Sequence, residues 1–196
     1  MVCVYYVILA YMKIGIDCRL WNESGVGRYI RNLVIYLGKI DKKNTYVLFC
    51  LSKDFEVVKL KTKNLKLKIV KVDIKWHTVR EQVEFPKILN EENLNLMHFP
   101  YFSVPVNYKK PYVLTIHDVI INHFPTGKAS TLSFPLYNVK RLGYKYVISK
   151  ACKNAKKIIV FSKSTKEEIV DHLKVPQDKI KVIYEGVDDK IQNLEF

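Results

Sequence analysis

Acidic residues are missing from one long stretch of this chain. Between Asp118 and Glu167 there is no Asp or Glu, yet ten basic residues stand there: Lys128, Lys140, Arg141, Lys145, Lys150, Lys153, Lys156, Lys157, Lys163 and Lys166. Over all 196 residues, 33 Lys and Arg face 19 Asp and Glu, a formal net charge of +14. Arginine is scarce as well, with only Arg19, Arg28, Arg31, Arg80 and Arg141. Base edges are usually read by arginine, so the composition disfavours a sequence-specific nucleic-acid reader. It suits a diffuse anionic partner such as a membrane surface, or simply a solvated lysine face. Cysteine is sparse too: Cys3, Cys18, Cys50 and Cys152 form no C-x-x-C pair. That excludes a disulfide framework and a zinc ribbon and fits a reducing cytoplasm. Seven glycines and seven prolines leave no room for long low-complexity linkers. No apolar run is long enough to cross a bilayer. Residues 1–11 are almost wholly apolar, but that is too short for a span, and they lack a basic n-region and a cleavage site. Residues 1–12 therefore read as an apolar N-terminal extension ahead of a natural start at Met12-Lys13, or as a small hydrophobic anchor.

What is present is an ordinary globular composition, 48% hydrophobic and 27% charged. A chain of this length buries about 70% of its unfolded surface and needs no covalent staple. Ile14-Gly15-Ile16-Asp17-Cys18 reads as a short buried strand. Val26, Ile30, Leu33, Val34 and Leu37 then recur at helical spacing. Further strands are predicted over 46–51, 66–72, 94–99, 111–116, 157–161 and 179–184, with 66–72 an edge strand because lysines alternate with Leu67, Ile69 and Val72. Helices are predicted over 78–90 (interrupted or started near Pro86), 132–155 and 163–173. Strands alternating with helices imply βαβ units: a Rossmann-like three-layer α/β/α sandwich with a mostly parallel sheet. Ligands in such sheets sit beyond the carboxyl ends of the strands, so the residues after each strand are the ones to weigh.

Ser24-Gly25-Val26-Gly27-Arg28 joins the first strand to the first helix. Two glycines at a helix N-terminus make a phosphate cradle. The segment also reads as a plain turn capped by Ser24 or Asn22, and it is not the dinucleotide fingerprint, because Ile30 stands where the third glycine belongs. Thr126-Gly127-Lys128-Ala129 fails as a phosphate-binding loop, with Asn122 for the first glycine and Ala129 for Ser or Thr. His117-Asp118 follows an apolar strand, where a carboxylate can orient an imidazole. His98 ends another strand and is either a crevice residue or a packed one. The five histidines show no metal-ligand spacing, so no metal is expected. On the 132–155 helix, Leu136, Val147, Ile148, Ala151 and Ala155 fall on one side and Arg141, Lys145, Lys153 and Lys156 on the other. That arrangement suits docking on an anionic membrane, and equally a helix that covers the sheet and solvates its lysines.

In order along the chain, Lys13-Ile14-Gly15-Ile16-Asp17, Ser24-Gly25-Val26-Gly27-Arg28-Tyr29, Met97-His98-Phe99-Pro100, Thr115-Ile116-His117-Asp118-Val119, Ile159-Val160-Phe161-Ser162-Lys163-Ser164-Thr165 and Lys181-Val182-Ile183-Tyr184-Glu185-Gly186-Val187-Asp188 resemble the N-terminal domain of a family 4 glycosyltransferase of GT-B architecture. The resemblance covers 13–188. It implies two Rossmann-like domains facing each other across a cleft, this one holding mainly the acceptor. The donor domain, with its paired glutamates, is expected beyond Phe196, and 189–196 is expected to begin the linker. It implies transfer of a sugar from a nucleotide-diphosphate sugar to an acceptor hydroxyl, a glycan or lipid-linked acceptor, with retention of configuration and no cofactor besides the donor. Gly25 and Gly27 match the loop near the donor diphosphate. His117 matches the histidine near the transferred sugar, with Asp118 holding it. Arg19, Arg28, His98, Ser162 and Lys163 are candidate substrate contacts. Glu185 departs from the Asn or Pro common in relatives. The expected location is cytoplasmic, peripheral on the inner membrane face. The alternatives are a polyanion- or nucleic-acid-binding module and a GT-B nucleotide-sugar epimerase.

Overall fold

The computed structural model describes residues 11–63, 65–118 and 134–186, with backbone only for 134–141. The expected extension over 1–10, the expected linker over 189–196 and the start of the long helix before residue 134 lie outside the described residues. Among the described residues seven strands and five helices follow in the order β1 (Lys13–Asp17), α1 (Gly25–Ile40), β2 (Thr45–Cys50), α2 (Phe55–Lys61), β3 (Leu67–Lys71), α3 (Val79–Glu91), β4 (Leu96–Phe99), β5 (Tyr112–Ile116), α4 (Phe134–Asn154), β6 (Lys157–Val160), α5 (Lys163–Leu173) and β7 (Ile180–Val182). The sheet order is β3-β2-β1-β4-β5-β6-β7, and β3-β2-β1-β4 in the first unit and β5-β6-β7 in the second are parallel. The α/β Rossmann-like expectation is met. The chain falls into two compact units, Met1–His98 and Phe99–Phe196.

In the first unit the order reverses at β1, which pairs with β2 on one side and β4 on the other. Strand alternation sorts the side chains. Ile16, Tyr46, Leu48 and Cys50 face one way and form a core with Ile30 and Val34 of α1 and Val58 of α2. On the opposite face Phe49 meets Phe85 of α3 edge-on, ring centroids 5.9 Å apart. Right-handed crossovers place α1 and α2 on one face and α3 on the other. Gly15 lies under this second layer: a Cβ there would come within 2.6 Å of the Leu94 and Met97 side chains. The edge strand β3 sends Lys68 to Glu92 (2.6 Å) on the α3 face and Lys71 over the Phe55 ring (4.2 Å) on the other.

One expectation needs correction. Pro86 neither interrupts nor starts α3, which runs unbroken from Val79. Thr78 caps the helix through the Glu81 amide at 3.1 Å, so the helix is nucleated before the proline. Phe85, Pro86 and Leu89 are buried together. That burial offsets an interior proline's penalty of about 3 kcal/mol.

In the second unit β5, β6 and β7 pair in parallel register, Ile116 with Val160 and Val160 with Val182. The α4 helix packs through Ile148, Ala151, Cys152 and Ala155, all buried. The Tyr112 hydroxyl donates to the Ala151 carbonyl at 2.8 Å, tying β5 to α4. Ile169 anchors α5.

Candidate functional site

The first unit brings the β1–α1 loop to the carboxyl end of β1. Its path is fixed by a buried ionic junction. Asp17, the last residue of β1, takes a two-pronged grip from Arg19: Nε to Oδ1 at 2.9 Å and Nη2 to Oδ2 at 2.7 Å. The same Nη2 reaches Glu81 Oε1 at 2.6 Å, and Nη1 donates to the Ile74 carbonyl at 3.1 Å. The guanidinium lies 3.9 Å from the Phe85 ring centre. Arg19 and Glu81 side chains are 1% and 0% exposed. Burial opposes the guanidinium charge, but the two carboxylates outweigh it and raise the Arg19 pKa. Glu81 does a second job: its Oε2 accepts from the amide of His77, the residue just before the Thr78 cap, at 2.9 Å. His77 takes a left-handed φ of 60° there. Arg19, expected as a substrate contact, is instead an internal clamp between β1, the 74–77 loop and α3. Its partner in α3 was missed, although Thr78-x-x-Glu81 ahead of an apolar helix is visible in the sequence.

The two glycines of the loop separate in role. A Cβ on Gly27 would stand 2.6 Å from the Trp21 carbonyl oxygen and 2.7 Å from that of Leu20. Gly27 is therefore glycine because the loop backbone folds down onto the first turn of α1, where Arg31 also donates to the Trp21 carbonyl. A Cβ on Gly25 would meet nothing within 4 Å. Ser24 stands at the N-cap but makes no side-chain capping bond, and the first turn of α1 holds no acidic residue. Asn22, the other candidate cap, donates instead to Asp54 at 2.6 Å. The start of α1 thus presents main-chain N–H groups and a positive dipole end, with no cap from Ser24 and no acidic residue in its own first turn. Arg28 is exposed in that turn. His98 pairs in register with Ile16 and is buried against Tyr29, ring centroids 6.4 Å apart. This is the packed arrangement of the two that the sequence left open.

The second unit assembles His117, Asp118, Ser162 and Glu185 beyond the carboxyl ends of β5, β6 and β7. His117 Nε2 lies 3.0 Å from the Pro100 carbonyl oxygen. A carbonyl only accepts, so Nε2 carries the proton and donates. Burial lowers the His117 pKa below 6.5, opposed in part by the Pro100 bond and by the negative charges of Glu185 and Asp118. The ring is neutral near pH 7, its Nδ1 the unprotonated nitrogen. Phe161 packs on it at 4.9 Å between centroids. Pro100 and Glu185 both escaped the sequence reading as neighbours of His117. Burial, then the Asp118 charge, pushes the Tyr101 hydroxyl up to about 12. Ser162 is the N-cap of α5: its hydroxyl accepts from the Thr165 amide at 3.0 Å and shares a 2.8 Å bond with the Thr165 hydroxyl. Lys163 follows, exposed.

Along α4, Lys145 and Lys153 are exposed, as is Lys156 just beyond it, while the Arg141 and Leu136 side chains lie outside the described residues. On the same helix Leu142 is 68% exposed and Tyr146 57% exposed. The outer face is therefore mixed apolar and basic. No helix among the described residues is long and apolar enough to cross a membrane.

Residues 24–191 match the model of Glycosyltransferase Family 4. The chain belongs to this family. As a family 4 glycosyltransferase domain it resembles solved structures at low identity, which speak to fold. Alr3699/HepE of Anabaena, solved with UDP and glucose, is 14% identical with a TM-score of 0.54, over 91% of this chain and 45% of that one. A glycosyltransferase from Rickettsia africae is 14% identical, TM-score 0.54, over 95% and 47%. The lipopolysaccharide outer core galactosyltransferase WaaB is 17% identical, TM-score 0.51, over 90% and 46%. The domain thus spans about half the length of these glycosyltransferases. No match was found among curated proteins.

Proposed function

We propose that this domain is the acceptor-side half of a retaining glycosyltransferase that moves a sugar from a nucleotide-diphosphate sugar to a hydroxyl of a lipid-linked or polysaccharide acceptor, without a metal. In this reaction the bond from the anomeric carbon to the diphosphate oxygen breaks. The bond to the acceptor oxygen forms on the same face of the sugar, and the hydroxyl proton leaves with the nucleoside diphosphate. The observation that carries the reading is the start of α1: uncapped by Ser24, free of acidic residues in its first turn, with open space at Gly25. Negative charge grows on the leaving diphosphate, and preorganised N–H donors meet it there. Arg28 adds a positive charge in the same turn. His117, neutral and fixed through Pro100, positions sugar hydroxyls, with Asp118 in its field. Ser162 and Lys163 are left for substrate contacts at the start of α5.

The test is nucleotide binding and transfer. The protein carrying its donor domain binds UDP or another nucleoside diphosphate, and Gly25→Val weakens that binding at least tenfold while the unfolding midpoint stays put. Residues 1–196 alone transfer no sugar. Unchanged binding in the variant, or turnover by residues 1–196, would refute the reading.

The basic outer face of α4 is the membrane contact in this proposal, placing the enzyme on the cytoplasmic side. Near an anionic surface each lysine adds about 1 kcal/mol. Sedimentation with phosphatidylglycerol vesicles should therefore fall steeply with salt and on reversing Lys145, Lys153 and Lys156 to glutamate. Salt-independent binding would count against it.

A further inference from the structure

The α2 helix is too short for the strands it covers. Its seven residues reach about 10 Å, whereas β2 with six residues reaches about 20 Å. Val58 of α2 lies in the core with Cys50 at the end of β2, so the helix covers the carboxyl end of β2 and β3. The amino end of the same face is left to an open cavity of about 270 Å³. Its floor is apolar: Ile16, Val34, Leu37, Leu48, Leu65 and Leu67. Gly38 of α1 is part of the wall, and a Cβ there would run into the Leu65 side chain. From Gly25 to Gly38 is about 20 Å along α1, so this cavity lies at the opposite end of the helix from the nucleotide corner.

The mouth is basic. Lys42, Lys43 and Lys66 line it and are exposed. Lys42 donates to the Gly38 carbonyl at 2.9 Å. Lys43 and Lys66 have no ion-pair partner among the described residues. The single carboxylate at the mouth, Asp41, is committed to its own turn. It accepts from the Tyr46 hydroxyl (2.6 Å), the Asn44 side chain (2.6 Å) and the Lys43 and Asn44 amides (2.9 and 3.1 Å). The Tyr46 hydroxyl first, then Asn44 and the turn amides, hold it well below the usual carboxylate range. The mouth therefore offers two uncommitted cations above an apolar floor.

We propose that this cavity binds a single aliphatic chain with an anionic head, of the size and chemistry of a medium-chain fatty acid. An apolar cavity of roughly 150 Å³ takes up benzene, so this volume suits a chain of about eight to ten carbons. The chain covers the floor and the carboxylate lies between Lys43 and Lys66. The assignment is independent of the sugar-transfer reading.

The experiment titrates the 196-residue chain with octanoate, decanoate, decanol and decyltrimethylammonium, followed by calorimetry and by ¹⁵N amide shifts. Decanoate binds one to one, with the largest shifts at Gly38, Thr45 and Leu67. Octanoate binds roughly fifteenfold weaker, about fourfold per methylene. Decyltrimethylammonium binds at least tenfold weaker than decanoate. The exposed double change Lys43→Glu with Lys66→Glu lowers decanoate affinity at least tenfold and leaves decanol binding and the unfolding midpoint unchanged. The proposal is overturned by non-saturable decanoate binding below its micelle concentration, by equal binding of the cationic chain, by shifts centred on other residues, or by a dimer of this chain that covers Gly38 and Leu65 without any amphiphile.

Discussion

The β1–α1 corner of the first unit and the His117 corner of the second solve the same problem by different physics. Each holds a loop in place at the end of a strand. The first uses buried charge: Arg19 between Asp17 and Glu81, with Arg19 and Glu81 out of bulk water and Asp17 at its edge, 12% exposed. The second uses neutral contacts: an imidazole donating to the Pro100 carbonyl and packed on Phe161. Buried ions give a steep dependence on each partner, because removing one leaves the others unbalanced. A neutral ring on a carbonyl gives a shallow dependence.

The largest expected effect follows from the first corner. Arg19→Met strands two carboxylates inside the fold and should lower unfolding free energy by about 3–5 kcal/mol in urea. A loss under about 1 kcal/mol would mean that water reaches the junction, and the contrast would collapse. Next comes the pair of glycines. Gly27→Ala drives a Cβ into backbone oxygens at 2.6 and 2.7 Å and should cost about 1–3 kcal/mol. Gly25→Ala faces open space and should stay within about 0.5 kcal/mol of the parent. Equal costs at both positions would erase the division of labour between them. The smallest effect belongs to His117. Its folded pKa lies below the ordinary 6.5, so the unfolded chain takes up the proton first. The contribution is full above about pH 6.5 and is lost as pH falls through the folded pKa. Urea titrations from pH 8 to 5 should show this slope in the parent and a flatter one in His117→Asn. Matching slopes would remove the neutral imidazole from the account.

The sheet was legible in the sequence because its strands are near-continuous apolar runs between turn residues. The bounds of α5 agreed to the residue, with Ser162 capping its start and Lys174 in the left-handed region closing its end. The α3 helix was misread at Pro86, since a proline penalty is local whereas the burial that offsets it is tertiary. The candidate site was legible only in part. Position after a strand singled out Gly25 and His117, but the same rule singled out Arg19, whose charge is consumed by Glu81 sixty-two residues away. Such pairing leaves no trace in local spacing. Nor does local spacing show that Gly25 and Gly27, two residues apart, face open space and backbone respectively.

Among the described residues the sheet ends at β3, whose outer N–H and C=O groups have no strand beside them in the sheet order. A bare parallel edge is a template for another chain. Here Lys66, Lys68 and Lys71 sit on or next to it, all three exposed, and an incoming strand would have to strip water from each ammonium. They act as gatekeepers against edge-to-edge aggregation, and neutralising them together should favour assembly of the chain with itself.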